Sequence, residues 1–191
     1  KIVIACIPAA VLGLLFDDWM EAHLYNAYVV AATLIIYGVL FIALENSSIT
    51  ANPSITKVGH VSTKTALFIG LFQLLSLVPG TSRSGSTILG AMVLGCSRGV
   101  AAEFSFFLGI PVMFGASFLK LVKFFVKGNV LTGPQIFYTI LGMAIAFGVS
   151  VYSIQFLMGY VRRHDFKFFG YYRIILGVVV LAYFGITALA A

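Results

Sequence analysis

A chain of 191 residues in which 61% are hydrophobic and only 9% are charged is excluded as a soluble domain, because soluble domains carry about 25% charged residues. The net charge of +6 comes from only 12 basic and 6 acidic residues, and the sequence contains no basic face of the kind that binds nucleic acid. We therefore expect a single all-α membrane domain over residues 1–191, a polytopic helical bundle in contact with membrane lipids and not with nucleic acid. The two cysteines, Cys6 and Cys96, lie in apolar surroundings, which favours buried thiols over a disulfide or a metal site.

The first two apolar segments cover about residues 2–16 and 25–44, separated by an acidic stretch with Asp17, Asp18 and Glu21. The second is long enough to cross a bilayer, which takes about 20 apolar residues, whereas the first is short. The chain starts inside an apolar run, without a methionine or the features of a signal peptide. These observations predict a fragment or a cleaved chain.

Residues 65–96 contain two apolar runs of which neither can cross a bilayer alone, at about 65–78 and 86–96. The sequence between them, Pro-Gly-Thr-Ser-Arg-Ser-Gly at 79–85, is polar. Two half-length helices joined by a polar loop predict a re-entrant hairpin, since irregular backbone at membrane depth must be buried in protein or line a cavity.

Three further spans are predicted at about residues 101–119, 135–158 and 172–189. The basic cluster between Arg162 and Lys167 marks a cytoplasmic loop by the positive-inside rule. Counting back from it places the polar loop 45–64 inside and both the acidic stretch at Asp17–Glu21 and the residues Lys120–Lys127 outside. The three lysines of that last segment disagree with the charge rule, and a solvated loop is the simplest account of them.

The 79–85 loop has the chemistry of an anion receptor. An arginine at membrane depth is costly and normally marks a site or a satisfied pair, and Arg83 offers a forked, permanently charged donor that matches phosphate oxygens. Ser84, Ser86 or Thr87 is expected to cap the following half-helix, whose N-terminus also favours an anion. The alternative is that Arg83 pairs with a buried carboxylate. Residues 80–87 match the pattern of a phosphate-binding P-loop except at the position of its lysine. Ser86 takes that position and no strand precedes the loop, so a P-loop is excluded.

Several motifs resemble the bacterial undecaprenyl-diphosphate phosphatases, the bacitracin-resistance family. The residues that carry the resemblance are Gly70-Leu71-Phe72-Gln73, Pro79 through Thr87, Arg98, Phe104-Ser105-Phe106 with Pro111, and Tyr172-Arg173-Ile174. The resemblance implies hydrolysis of a polyprenyl diphosphate lipid on the outer face of the bacterial cytoplasmic membrane. It also implies that the chain holds one half of an inverted-topology repeat, with a possible homo-oligomer as the assembled form.

The resemblance also implies roles for residues of the loop. Catalytic roles fall on Arg83, as the clamp on the phosphates, and on the hydroxyls of Ser82, Ser84 and Thr87. Substrate-binding roles fall on the cradle formed by Gly80, Thr81, Gly85 and Ser86, and on Gln73 of the preceding half-helix.

The family's first signature, with its glutamates, serine and histidine, is absent from this sequence. The resemblance therefore implies that an N-terminal segment of the same protein completes the site. That segment would carry the ligands of a divalent cation, Mg or Ca, and the nucleophile. A transporter or flippase of an anionic lipid or small anion remains the alternative, because a broken helix with an arginine binds such substrates equally well.

Overall fold

A computed structural model describes residues 1–161 and 163–190, and the described residues form seven α-helices without a β-strand. Four of the helices, α2, α5, α6 and α7, are long and apolar enough to cross a membrane. The predicted all-α polytopic membrane bundle is thus confirmed. The helices are α1 (Ile2–Leu24), α2 (Ala27–Glu45), α3 (Thr63–Leu74), α4 (Arg83–Val93), α5 (Arg98–Val126), α6 (Gly133–Val161) and α7 (Lys167–Ala190).

The predicted re-entrant hairpin is present, formed by α3, a 3₁₀ turn at Leu75–Leu77 and α4. The segments before and after the hairpin are bonded to each other. The amide of Ile55 donates to the carbonyl of Gly95 at 2.9 Å, and the amide of Ser97 donates to the carbonyl of Ile55 at 2.9 Å. Fifteen residues from Thr63 to Leu77 rise by about 22 Å, less than the roughly 30 Å of a hydrocarbon core. The tip of the hairpin, residues 78–82, therefore turns inside the bundle.

Small residues let the neighbouring helices approach closely. On the α1 side, a Cβ built on Gly70 would lie 2.8 Å from the Cα of Ala5. On α2, a Cβ built on Gly38 would lie 2.7 Å from the carbonyl oxygen of Gly170 in α7. Helices in membranes pack through such small residues because lipid provides no hydrophobic driving force between them. The α1–α3 and α2–α7 pairs form the frame around the hairpin.

An ion pair with a buried carboxylate joins the α2–α3, α4–α5 and α6–α7 connections at one end of the bundle, which we call the polar end. The Glu45 carboxylate accepts from the Arg98 guanidinium, with Nε at 2.9 Å from Oε1 and 3.0 Å from Oε2, and also from the amide of Phe166 at 3.0 Å. The ends of α2 and α6 and the starts of α5 and α7 thus lie together. The helix directions agree with the predicted alternation of loops between the two sides.

Several predicted boundaries are wrong, because helices continue through charged sequence. The helix α1 extends past residue 16 to Leu24, since Asp17–Leu24 contains no glycine or proline to stop it. Lys120 and Lys123 form part of α5 rather than a loop, where cations near a helix C-terminus are stabilised by its dipole. The spans predicted at 101–119, 135–158 and 172–189 are helices over 98–126, 133–161 and 167–190. Both cysteines are free thiols, of which Cys96 is buried and Cys6 half-buried.

The ion pair at the polar end predicts a stability difference. Replacing Glu45 by Gln should lower the free energy of unfolding by about 2 kcal/mol, less than the 3–5 kcal/mol of a fully buried pair because Arg98 can rehydrate. Thermal unfolding of the full-length protein in detergent measures this. Asp165→Asn is the matched control, since the 3.8 Å pair of Asp165 with Lys167 is only half-buried and pairs near the surface contribute little. Equal losses in the two variants would contradict the assignment.

Candidate functional site

The tip of the hairpin has an unusual backbone. Gly80 has a φ of +88° and Ser82 a φ of +65°, a region that side chains rarely adopt. Thr81 between them is buried, and its hydroxyl donates to the carbonyl oxygens of Leu75 at 2.9 Å and Val78 at 2.8 Å. These two bonds close the turn, and the conformation is strained in the manner often found at functional sites.

The tip packs against the helix α2. A Cβ built on Gly80 would lie 2.7 Å from the carbonyl oxygen of Val30 and would also collide with the hydroxyl of Thr33. That hydroxyl lies 2.7 Å from the carbonyl oxygen of Pro79. Gly80 is therefore required for its positive φ and for the close approach of backbone to backbone.

Arg173 of α7 binds the tip directly. Its Nη2 donates to the carbonyl oxygens of Gly80 at 2.6 Å and Thr81 at 2.9 Å, and its guanidinium carbon lies 5.6 Å from the ring centre of Tyr37. Sequence reasoning missed Arg173 as a site residue. The available signal was a second arginine within an apolar span, which is costly unless it has partners.

Ser82 is the N-cap of α4. Its hydroxyl accepts from the amide of Gly85 at 3.3 Å, and its carbonyl accepts from the amide of Ser86 at 3.0 Å. The expectation that Ser84, Ser86 or Thr87 caps this helix is wrong, because the turn of the backbone at Ser82 makes it the last non-helical residue. The first two amides of the helix, at Arg83 and Ser84, make no hydrogen bond within the described part of the chain. Two N–H groups at a helix N-terminus favour an anion.

Arg83 begins α4 and points toward α5. A Cβ built on Gly109 would lie 3.0 Å from its Nη1, so the absence of a side chain there makes room for the guanidinium. Among residues 1–161 and 163–190, Nη1 of Arg83 is buried without a hydrogen-bond partner, and no described carboxylate forms a salt bridge with Arg83. The described residues thus give no support to a buried Arg83–carboxylate pair, because Glu45 binds Arg98 instead.

Two of the predicted hydroxyls face into the protein. Thr87 is fully buried and bonds to the hydroxyl of Ser105 at 2.5 Å and to the carbonyl of Arg83 at 3.0 Å. Ser86 is also fully buried and donates to the hydroxyl of Tyr37 at 3.3 Å. The geometry supports a positioning role for both, since they hold α4 against α5 and α2.

Of the remaining predicted residues, Ser82, Ser84 and Gly85 lie at or next to the tip, and Gln73 lies on α3. Ser82 is exposed and Ser84 half-buried, with their hydroxyls 3.4 Å apart. Gly85 is buried, and a Cβ there would lie 3.2 Å from Nη1 of Arg173. Gln73 of α3 is only 1% exposed, and within the described residues neither its Oε1 nor its Nε2 has a partner. A buried amide without partners is costly, which makes Gln73 a group able to bind a polar ligand.

The described residues do not fit the divalent cation that the resemblance implies. In the part of the chain that the structure describes, no three of the His, Cys, Asp and Glu side chains come together as a possible metal site. Carboxylates are the ligands that Mg and Ca prefer. Among the described residues, the buried carboxylate of Glu45 is already bound to Arg98.

The fold and the tip define a class: an all-α polytopic membrane protein in which a re-entrant helical hairpin presents an arginine and helix N–H groups inside the bundle. Comparison with protein families identifies the chain more closely. The model of the bacitracin resistance protein BacA matches residues 1–179, and the chain belongs to this family.

Curated relatives are similar over nearly the whole chain, and each is named undecaprenyl-diphosphatase. The relative from Streptococcus thermophilus strain CNRZ 1066 is 56% identical over 183 residues, which cover 96% of this chain and 64% of the relative. The relative from Limosilactobacillus fermentum is 54% identical over 188 residues, covering 98% and 68%. The relative from Enterococcus faecalis is 52% identical over 181 residues, covering 95% and 64%. The chain thus spans about two thirds of the length of the curated relatives it matches.

The contact of Arg173 with the tip predicts faster hydrogen exchange there when it is removed. Arg173→Ala leaves the carbonyls of Gly80 and Thr81 without their charged donor, at a cost of about 1.5–3 kcal/mol. Amide exchange of the peptide around residues 78–86 should then accelerate at least about tenfold.

Mass spectrometry of the full-length protein in detergent measures this exchange. Arg163→Ala is the control, because Arg163 is exposed and its side chain makes no hydrogen bond among the described residues. Unchanged exchange at the tip in Arg173→Ala would contradict the role of Arg173.

Proposed function

We propose that the protein hydrolyses undecaprenyl diphosphate to undecaprenyl phosphate and inorganic phosphate, with the tip of the hairpin binding the diphosphate. The names of relatives that are 52–56% identical support this activity. The observation that carries the proposal is the Arg83 guanidinium at the start of α4, with a buried Nη1 that no other described residue binds.

The tip concentrates positive charge and hydrogen-bond donors where a diphosphate needs them. Arg83 supplies a forked cation, and the amides of Arg83 and Ser84 add two donors at the positive end of the α4 dipole. Ser82 is the exposed hydroxyl beside them, with Ser84 next to it. These groups would bind the phosphate oxygens, while Arg173 keeps the carbonyl oxygens of Gly80 and Thr81 turned away from the anion.

The reaction adds water to the terminal phosphorus and breaks its bond to the bridging oxygen, so that inorganic phosphate and the lipid monophosphate leave. Charge is spread over the equatorial oxygens of the transferred group and on the leaving oxygen in the transition state. Fixed donors that face these oxygens are the main source of rate enhancement in such sites. We assign that role to Arg83, to the α4 amides and to Ser82 and Ser84, and a polar contact with the substrate to Gln73.

The divalent cation and the attacking group are not assigned to described residues. Any cation would need ligands beyond those the structure describes, in keeping with the proposal that a further segment of the same protein completes the site. Pairing of the chain with a second copy is a further proposal of the same kind.

We also propose that the site opens toward the outer face of the cytoplasmic membrane of a bacterium. The N-terminus of α4 points away from the polar end, where Arg163, His164 and Lys167 lie. These basic residues favour the cytoplasmic side for the polar end. The diphosphate headgroup would then enter from the opposite side, and the apolar faces of the bundle would contact the polyprenyl chain. On α5, Phe104 is buried in the core, whereas Phe107 is 42% exposed.

The proposal predicts that activity depends on Arg83. In the full-length protein, Arg83→Ala should lower kcat/KM for phosphate release from undecaprenyl diphosphate by at least about 10²-fold, because a charged donor to the transition state is lost. Arg83→Lys should retain part of the activity, since a point charge replaces a fork. Phosphate release is measured in detergent with each divalent cation in turn.

Arg163→Gln is the matched control and should retain wild-type kcat/KM. Loss of activity in this control equal to that in Arg83→Ala would remove the special role of Arg83. If the unaltered protein releases no phosphate with any divalent cation, the hydrolytic proposal is wrong, and the anion-binding tip then fits a transporter.

A further inference from the structure

A cavity of about 290 Å³ lies between α2 and the hairpin. We call it the α2–hairpin slot. Its walls are formed mainly by Tyr37, Leu40 and Leu44 of α2, by Phe72 and Leu75 of the first half of the hairpin and by Leu89 of α4. None of the described residues that line it carries a charge, so water would find few partners there. The slot is suited to a hydrocarbon.

The slot opens sideways, between apolar residues of α2 and of the hairpin. Leu40, Leu75 and Val93 line it and are 46%, 48% and 46% exposed. They belong to α2, which is long enough to cross a membrane, and to the hairpin beside it. An acyl chain in the bilayer can therefore enter without passing through the protein.

The inner end of the slot is closed toward the anion site. The hydroxyls of Tyr37 and Ser86 are 3.3 Å apart across it, and Ser86 is also bonded to the carbonyl of Ser82 at 3.1 Å. Beyond this bond, Gly80 packs against α2 without space for a Cβ. The slot is therefore reached from its side opening rather than through the protein from the anion site.

A positive charge lies on the hairpin face that leads from the slot to the polar end. Lys64, Phe68 and Phe72 follow one another at intervals of four residues on α3 and so share a face. Lys64 is exposed and lies about 12 Å from Phe72 along the helix, near the level expected for lipid headgroups. A lysine at this level attracts an anionic phosphate.

We propose that the α2–hairpin slot holds one acyl chain of an anionic phospholipid whose phosphate lies beside Lys64. The chain fills the space between α2 and α4 next to the Tyr37–Ser86 bond, which positions the start of α4. A bound lipid would thereby support the tip from the side opposite to α5.

The test uses the full-length protein in lipid nanodiscs that contain phosphatidylglycerol with a diazirine near the end of one acyl chain. After photolysis, mass spectrometry should find the label concentrated on residues 37–44 and 86–93. Phosphatidylcholine with the same diazirine should label these residues several-fold less. A diazirine-bearing polyprenyl diphosphate should not label them above the level found on the exposed helix α6.

Two pairs of variants sharpen the test. Ala43→Phe places a ring in the mouth of the slot and should reduce the labelling at least fivefold, whereas Val39→Phe, on the exposed surface of α2 outside the slot, should not. Lys64→Gln should remove the preference for phosphatidylglycerol, and Lys120→Gln should preserve it. Unfolding temperatures of all variants show whether the fold is retained.

Three results would overturn the proposal. Labelling of residues 37–44 no stronger than that of α6 would show that the slot holds no lipid chain. Equal labelling by both phospholipids would show that Lys64 does not bind an anionic headgroup. Preferential labelling by the polyprenyl diphosphate would show that the slot holds the tail of that lipid instead. Each of these results is independent of phosphate release and of the Arg83 variants.

Discussion

The bond between Arg173 and the carbonyl oxygens of Gly80 and Thr81 is the contact on which the site depends. A polar loop inside a membrane bundle must have its backbone groups satisfied by protein, since lipid offers no partners. The guanidinium does this for two carbonyls at once, and Gly80 lets the loop lie directly against α2. The loop is thereby fixed between α2 and α7, whose own packing is close because of Gly38 and Gly170.

This attachment determines what the second arginine can do. With the two tip carbonyls occupied by Arg173, the donors that the described residues leave at the tip include the amides at the start of α4, the hydroxyls of Ser82 and Ser84 and the side chain of Arg83. Both arginines are expensive inside a membrane, but they differ in their partners. Arg173 has carbonyl partners and holds structure, whereas Nη1 of Arg83 has none within the described part of the chain. We therefore assign a structural role to Arg173 and a ligand-binding role to Arg83.

Much of the fold is predictable from the sequence. The re-entrant hairpin follows from two short apolar runs around Gly80 and Arg83, because run length against bilayer thickness is a strong signal. Helix ends were predicted poorly, since charged residues such as Lys120 and Lys123 continue α5. The sequence marks Arg173 as an arginine within an apolar span but does not show its partners, because they lie more than 90 residues away.

The same limit applies to individual hydroxyls within the 79–87 signature. The sequence shows five hydroxyl side chains near Arg83 but not which way each one turns. Rotation about the axis of α4 directs Thr87 to Ser105 and Ser86 to Tyr37. That rotation is set by the cap at Ser82, whose positive φ no propensity would favour. Local chemistry was therefore predictable, whereas its direction required the tertiary contacts.

The most direct test of the account is the binding of inorganic diphosphate to the full-length Gly80→Ala variant, measured by isothermal titration calorimetry. A methyl group at Gly80 collides with α2 and strains the positive φ, so it should displace the tip and weaken binding at least about tenfold, or 1.4 kcal/mol. Gly142→Ala is the control, because a Cβ there meets nothing within 4 Å, and it should bind as the unaltered protein does. Equal affinity in the two variants, with both folded, would contradict the claim that the anchored tip forms the anion site.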